Sequence, residues 1–526
     1  MSQPAEEQFG AEKTMASRER EPGIMCPDAL AEKLMPPSGP SQKREMYLLA
    51  LLFLLESSLA VMALAMYMKG ARPFAVFLFS TPGKALVVAL LVCILAGVTI
   101  VLQYVASRRS SSRHFWLVVG LNLMTVIGGL FVGEATVRLG VHSSSEGEVF
   151  GTTVLRPKSW ETVSAEYRKI LEQASGGLSY LEYDDVMGWT VGRNKRSANG
   201  LYYSSAEGIR APEQGVSFAE VTGKTRIALV GDSFTFAEEV RYEDSWGYHL
   251  EKALGPEFQV LNFGVEGYGV GQAYLRYEKD VRPWNPKVVI FSFISHDVRR
   301  TMWTYPFLAV PEWQMPFSKP RFILREDQLV LKNIPPLSPD EIFNLKSMSR
   351  LPFMMYDESY SSSEWQHRFV DSSYLLRLVV SLFPQWTADK PDSSEEMRLS
   401  VNARILKAFV GSAAQAGTIP LIVYFPSRGE WGDRGEPAPL AKRVLQEAGL
   451  PYLDPTPCLA QLDPTDRYLV THYSSQGNAA VAKCLADPVR DALSQGSGAK
   501  GTMSTRDRAD SRIREQVLSS GRGRAR

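Results

Sequence analysis

A three-layer α/β domain tethered by three N-terminal transmembrane helices is the architecture this 526-residue sequence predicts. Three observations carry that reading. Long apolar runs crowd the first quarter of the chain. Short β-branched runs then alternate with amphipathic stretches from about 150 to 496. The strand-like runs are apolar on both faces, which is the pattern of a parallel sheet covered by helices on either side.

The apolar runs are 46–68, 85–106 and 115–133. A helix needs roughly 20 apolar residues to cross a bilayer, so each has a spanning length or close to it. The first is not the apolar centre of a cleaved leader, because 45 largely polar residues precede it and no small-residue cleavage site follows. Lys43 and Arg44 stand before the first run, and Arg108, Arg109 and Arg113 fill the loop between the second and third. The positive-inside rule places that tail and that loop in the cytoplasm, so three crossings carry everything after about 140 outside. The expected location is therefore the cytoplasmic membrane, multi-pass, with the large domain extracytoplasmic. Glu56 falls mid-span, where a charge is costly; it serves either a function or a hydrogen bond to a neighbouring helix near Asn122.

Both ends read as polar, unstructured tails, 1–45 and 497–526. The second carries eight basic residues against three acidic ones, a net +5 that hides inside an overall charge of +1. Such balance gives no bulk electrostatic reason to bind nucleic acid. Four scattered cysteines, with no C-x-x-C pair, argue against a cysteine scaffold and against a cysteine-based zinc site. No metal or organic cofactor is implied. Cys458 and Cys484 flank a single loop of the outside domain, either as a bridge or as two buried thiols.

After a connecting segment, 141–225, the alternation begins. RIALV (226–230) is the first strand, followed by a helix over 243–254 and the strand FQVLN (258–262). A helix over 270–281 leads to KVVIFSFI (287–294), and a long helix over 396–416 to IPLIVYF (419–425). A helix at 439–448, a short strand at 451–453 and a closing helix at 476–493 complete the domain, 226–496. An insert, 298–395, interrupts it, with a hairpin over 322–333 turning at Glu326-Asp327. Inserts of this size form either pocket walls or packing embellishments.

Chemistry collects where strands end, as ligands do in such sheets. Gly231-Asp232-Ser233 follows the first strand, where a serine sits exposed at a sharp turn with the N–H groups of a helix start behind it. Asn262-Phe263-Gly264 ends the second strand, Ser295-His296-Asp297 the third, and Thr471-His472-Tyr473 precedes the last helix. A serine nucleophile needs a base at neutral pH, and histidine is the usual one.

Together, ALVGDSFTFAEEV, VLNFGVEGYG, VVIFSFISHDV and THYSSQGNAAVA resemble the SGNH/GDSL hydrolase superfamily over about 226–485. EGIRAPE (207–213) and FILREDQLVL look like its membrane-anchored, extracytoplasmic bacterial members. The resemblance implies a flavodoxin-like, SGNH-type fold with Ser233 as nucleophile and His472 as general base. It also implies the N–H groups of Ser233 and Gly264 as oxyanion donors. Two departures stand out. The family's third oxyanion donor is an Asn directly before an Asp; here His296 precedes Asp297. The family also has an Asp two or three residues before its histidine, where this chain has Val470 and Leu469. Asp466, Asp463 or a backbone carbonyl then remains to orient His472. Losing an orienting acid costs orders of magnitude in rate without abolishing it.

Two functions follow. One is a membrane-anchored esterase or O-acyl(acetyl)transferase, acting through an acyl-serine on ester bonds of a cell-envelope polysaccharide, other glycan or lipid. The other is a glycan-binding or assembly protein that keeps the cleft without the chemistry.

Overall fold

The structure is a computed structural model that describes residues 112–174, 180–382, 395–431 and 438–495. The expected helices 46–68 and 85–106, Glu56 and both tails lie outside the described residues. The chain divides into two compact units, 1–133 and 134–526.

Of the first unit, the described part is the beginning of helix α1, Ser112–Gly140. Its stretch Val119–Gly140 is long and apolar enough to cross a membrane. Leu117, Met124, Ile127 and Phe131 are exposed along it. The helix runs seven residues past the apolar run expected at 115–133, because its last turns belong to the second unit. There Glu134 accepts hydrogen bonds from Ser373 Oγ and the N–H groups of Tyr374 and Leu375, at 2.8, 3.0 and 2.9 Å. It thereby caps the start of the helix Tyr374–Leu382, whose first N–H groups have no partner within their own helix.

The second unit is built on a four-stranded parallel sheet. Its strands are β1 (Thr225–Val230), β2 (Phe258–Asn262), β3 (Val288–Phe293) and β4 (Ile419–Tyr424), in the spatial order β4-β3-β1-β2. Alternate residues feed opposite cores. Ala228, Val230, Leu261, Val289 and Phe291 face one side, and Ile227, Leu229, Val260, Val288 and Ile290 the other. Burial on both faces is why these strands are near-continuous apolar runs. Between β1 and β3 the strand order reverses, and in sheets of this kind ligands sit beside such a reversal, at the C-terminal ends of the strands.

Helices cover both faces. After β1 comes the single turn α2 (Ser233–Phe236), then α3 (Trp246–Leu254), α4 (Val270–Arg276) and α5 (Ser295–Arg300). The long α6 (Glu395–Gln415), α7 (Leu440–Ala448) and α8 (Ser475–Gln495) follow. The segment expected as one helix over 243–254 splits: Tyr242–Asp244 is a 3-10 turn, and Ser245 then caps α3 by accepting from Tyr248 N. The helix expected over 270–281 changes pitch at Arg276 into a π turn, Tyr277–Val281. The short strand at 451–453 is a single bridge, Leu453 to Val423.

The insert forms the expected hairpin, Arg321–Arg325 against Gln328–Lys332, with left-handed backbone at Glu326 and Asp327. The insert is also half of a third apolar core. Phe307 and Phe343 pack with Trp160 and Tyr167 of the helix Trp160–Ala174, and Tyr167 stacks on Phe343 at 4.6 Å. The insert therefore shares its packing with the connecting segment.

Cys458 and Cys484 form a disulfide, joining the turn Thr456–Leu459 to α8 across 26 residues of sequence. Closing a loop of that length restricts the unfolded chain. Cys458→Ser is expected to cost about 2–4 kcal/mol of unfolding free energy, read as a lower denaturation midpoint; an unchanged midpoint would mean that the bridge adds nothing.

Candidate active site

The site grows from the end of β1. A side chain at Gly231 would strike the carbonyl oxygen of Ser292 and Oγ1 of Thr235, so only glycine lets the chain pass there. Asp232 caps α2, accepting from the N–H groups of Phe234 and Thr235 at 3.0 and 3.3 Å. Ser233 is the first helical residue and only 3% exposed. The helix behind it is a single turn. Ala237 and Glu239 adopt left-handed backbone, with φ of 61° and 72°, and reverse the chain toward the serine.

Such conformations cost non-glycine residues energy and persist only where surroundings enforce them. Here Arg210 does so. Its buried guanidinium donates to the carbonyls of Phe236, Ala237 and Val240 at 2.5, 2.7 and 2.6 Å. Tyr202 Oη accepts the N–H of Glu239 at 2.7 Å. Arg210 belongs to the EGIRAPE segment, which thus acts as the clamp on this turn.

His472 arrives from the other end of the chain, on a loop pinned by the bridge between Tyr468 and Tyr473. Its Nε2 lies 2.8 Å from Ser233 Oγ, and its ring packs on Phe234. Its Nδ1 lies 3.0 Å from Oε1 of Glu239. With the Nδ1 proton donated to that carboxylate, Nε2 is left to accept the serine proton. Glu239 also accepts the N–H groups of Val470 and Thr471, at 2.8 and 3.0 Å. Burial opposes ionisation of Glu239, but the bonds from His472, Val470 and Thr471 outweigh it and hold the carboxyl below its usual range.

The carboxylate on the histidine is therefore Glu239, where the sequence points to Asp466 or Asp463. Those two lie at the turn Pro464–Arg467, and neither hydrogen-bonds His472 among the described residues. Glu239 stands in the quoted stretch AEEV, six residues after the nucleophile. The signal for it was the pair of adjacent glutamates, Glu238 and Glu239, so soon after the serine.

The remaining candidates take other places. Gly264 packs so tightly on the backbone of Thr235 and Phe236 that no side chain would fit. Its N–H donates to Asn262 Oδ1 at 2.9 Å, while Asn262 Nδ2 donates to the Thr235 carbonyl, also at 2.9 Å. Any oxyanion held by Gly264 would share that N–H with Asn262. His296 is exposed on the first turn of α5. Asp297 is buried under the site, its carboxylate on Arg300 at 2.7 Å and on the N–H of Ile294 at 3.1 Å. Arg300 also reaches Asp232 at 3.5 Å, tying β3's end to the cap of the nucleophile's turn.

Hydroxyl, imidazole and carboxylate in this sequence form a proton relay suited to attack on a carbonyl carbon. No family model matches the chain, and no curated protein matches it. Solved structures of low similarity do. A lipolytic protein of the G-D-S-L family from Desulfitobacterium hafniense is 15% identical, covering 50% of this chain and 99% of its own, with a TM-score of 0.25. A carbohydrate acetylesterase family member from Sinorhizobium meliloti gives 16%, 51%, 99% and 0.25. An acetylxylan esterase from Geobacillus stearothermophilus, solved as a catalytic mutant, gives 15%, 54%, 100% and 0.26. Likeness of that size carries no weight for function, which rests on the geometry above.

Three outcomes test this geometry. Glu239→Gln should slow fluorophosphonate labelling of Ser233 by roughly 10²–10⁴-fold, whereas Asp466→Asn leaves it unchanged; the reverse pattern would restore the acid to the histidine's own loop. Because the Glu239 carboxyl is lowered in the fold, the stability it contributes is complete above its ordinary value near 4.5 and is lost as pH falls further. Arg210→Met would orphan three carbonyls and should cost roughly 3–5 kcal/mol, measured by chemical denaturation.

Proposed function

We propose that this chain is a membrane-anchored serine esterase or O-acyltransferase, working through an acyl-Ser233 intermediate on ester bonds of a cell-envelope glycan or lipid. The observation that carries the reading is the continuous relay of Ser233 Oγ, His472 and Glu239, at 2.8 and 3.0 Å. Ser233 attacks the acyl carbon as His472 takes its proton, Glu239 supports the imidazolium, and the ester's alcohol leaves with that proton. Water then releases the acid, or a sugar hydroxyl takes the acyl group. The apolar α1 supports anchoring, and the Cys458–Cys484 bridge supports a domain in the oxidising space outside the cytoplasm. The glycan-binding alternative drew on a missing acid and on His296 in place of an Asn; the contact of Glu239 with His472 answers the first of these and leaves the second standing.

The deciding experiment is trapping of the intermediate with p-nitrophenyl acetate. Wild type should show a burst of p-nitrophenolate and an acetyl group on the peptide containing Ser233, both lost in Ser233→Ala. Glycan binding without a burst, unaffected by Ser233→Ala, would favour the binding protein.

A further inference from the structure

The left-handed turn that delivers Glu239 to one nitrogen of His472 delivers its neighbour to the other. Oε2 of Glu238 lies 3.4 Å from Nε2, the same atom that meets Ser233 Oγ. Glu238 has no part in the relay, since Glu239 already orients the ring. Its side chain is 22% exposed, so it reaches the open side of the site.

That side is chemically defined. During acylation Ser233 Oγ bonds to the acyl carbon, the bond from that carbon to the alcohol oxygen breaks, and the proton held on Nε2 leaves with the alcohol. The departing oxygen must therefore come within hydrogen-bond reach of Nε2, which brings the alcohol half of the substrate beside Glu238. A purely apolar alcohol would desolvate this carboxyl without offering it a partner. A hydroxyl on the adjacent carbon would give it one.

We propose that Glu238 reads the alcohol half of the substrate by hydrogen-bonding a free hydroxyl next to the acylated oxygen, so that the site prefers esters of polyhydroxylated alcohols such as sugars. This rests on the esterase reading. Burial, then the like charges of Glu266, Glu239 and Asp232, push the Glu238 carboxyl up to about 8 against the pull of Arg300. Near neutrality it then holds a proton for much of the time and both donates and accepts, as a hydroxyl does.

The test compares acetate release from 2-hydroxyethyl acetate and ethyl acetate by the full chain in detergent micelles. Wild type should favour the hydroxy ester in kcat/KM on the order of ten- to hundredfold. Glu238→Ala should bring the two esters level, and Glu238→Gln, which still donates and accepts, should keep most of the preference. Fluorophosphonate labelling of Ser233 in each variant reports that the site is folded. No preference in wild type, or a preference that survives Glu238→Ala, overturns the proposal while leaving the esterase reading intact. Release from neither ester by wild type, with no acetyl group formed on Ser233, overturns both.

Discussion

A buried positive charge under a strained turn is the constraint on which the site depends. Arg210 gives up its hydration and recovers it from three carbonyls within five residues, 236, 237 and 240, while its guanidinium lies over the rings of Phe236 and Tyr202. Without that fork the left-handed backbone at Ala237 and Glu239 would relax, and both glutamates would leave the histidine. Only arginine combines a charge that persists when buried with donors spread widely enough to reach all three acceptors. The connecting segment ahead of the sheet is thus a working part of the site.

A second buried network ties two strand ends together beneath the site. Arg300 joins Asp297, at the end of β3, to Asp232, at the end of β1. Pairs like these add little net stability, since desolvation cancels most of the attraction. Their effect here is positional, because they hold together the two strand ends between which the strand order reverses. Trp313 of the insert lies over Arg300 and shields the network from one side.

Strands were legible in the sequence because burial on both faces leaves an unbroken apolar run, as in VVIFSF of β3. Ser233 and His472 were legible because each sits where a strand or loop meets a helix, next to glycine or small polar residues. Helix edges were less so: Ser245 looks like an ordinary surface residue until its hydroxyl is seen to cap α3. Glu239 was not legible as the relay's acid, because position 239 meets position 472 only through the fold. Reasoning along the chain looks for an acid near the histidine and finds Asp466, whose backbone carbonyl, not its carboxylate, binds Ser474. Of the three apolar runs, the described residues include only the third, and its helix extends further because Glu134 and Arg138 are held by the segment 372–375, at the start of the helix Tyr374–Leu382.

Moving the acid onto the nucleophile's own turn also changes the rim of the site. A histidine loop that carried its own carboxylate would have to bend inward at the preceding residues. Here Val470 and Thr471 contribute only backbone N–H groups, so their side chains are released from duty. Leu469 and Val470 accordingly point to solvent, 46% and 78% exposed. Where one proton-relay partner is housed thus leaves apolar side chains facing solvent on the histidine's loop and two carboxyl groups beside the imidazole on the serine's turn.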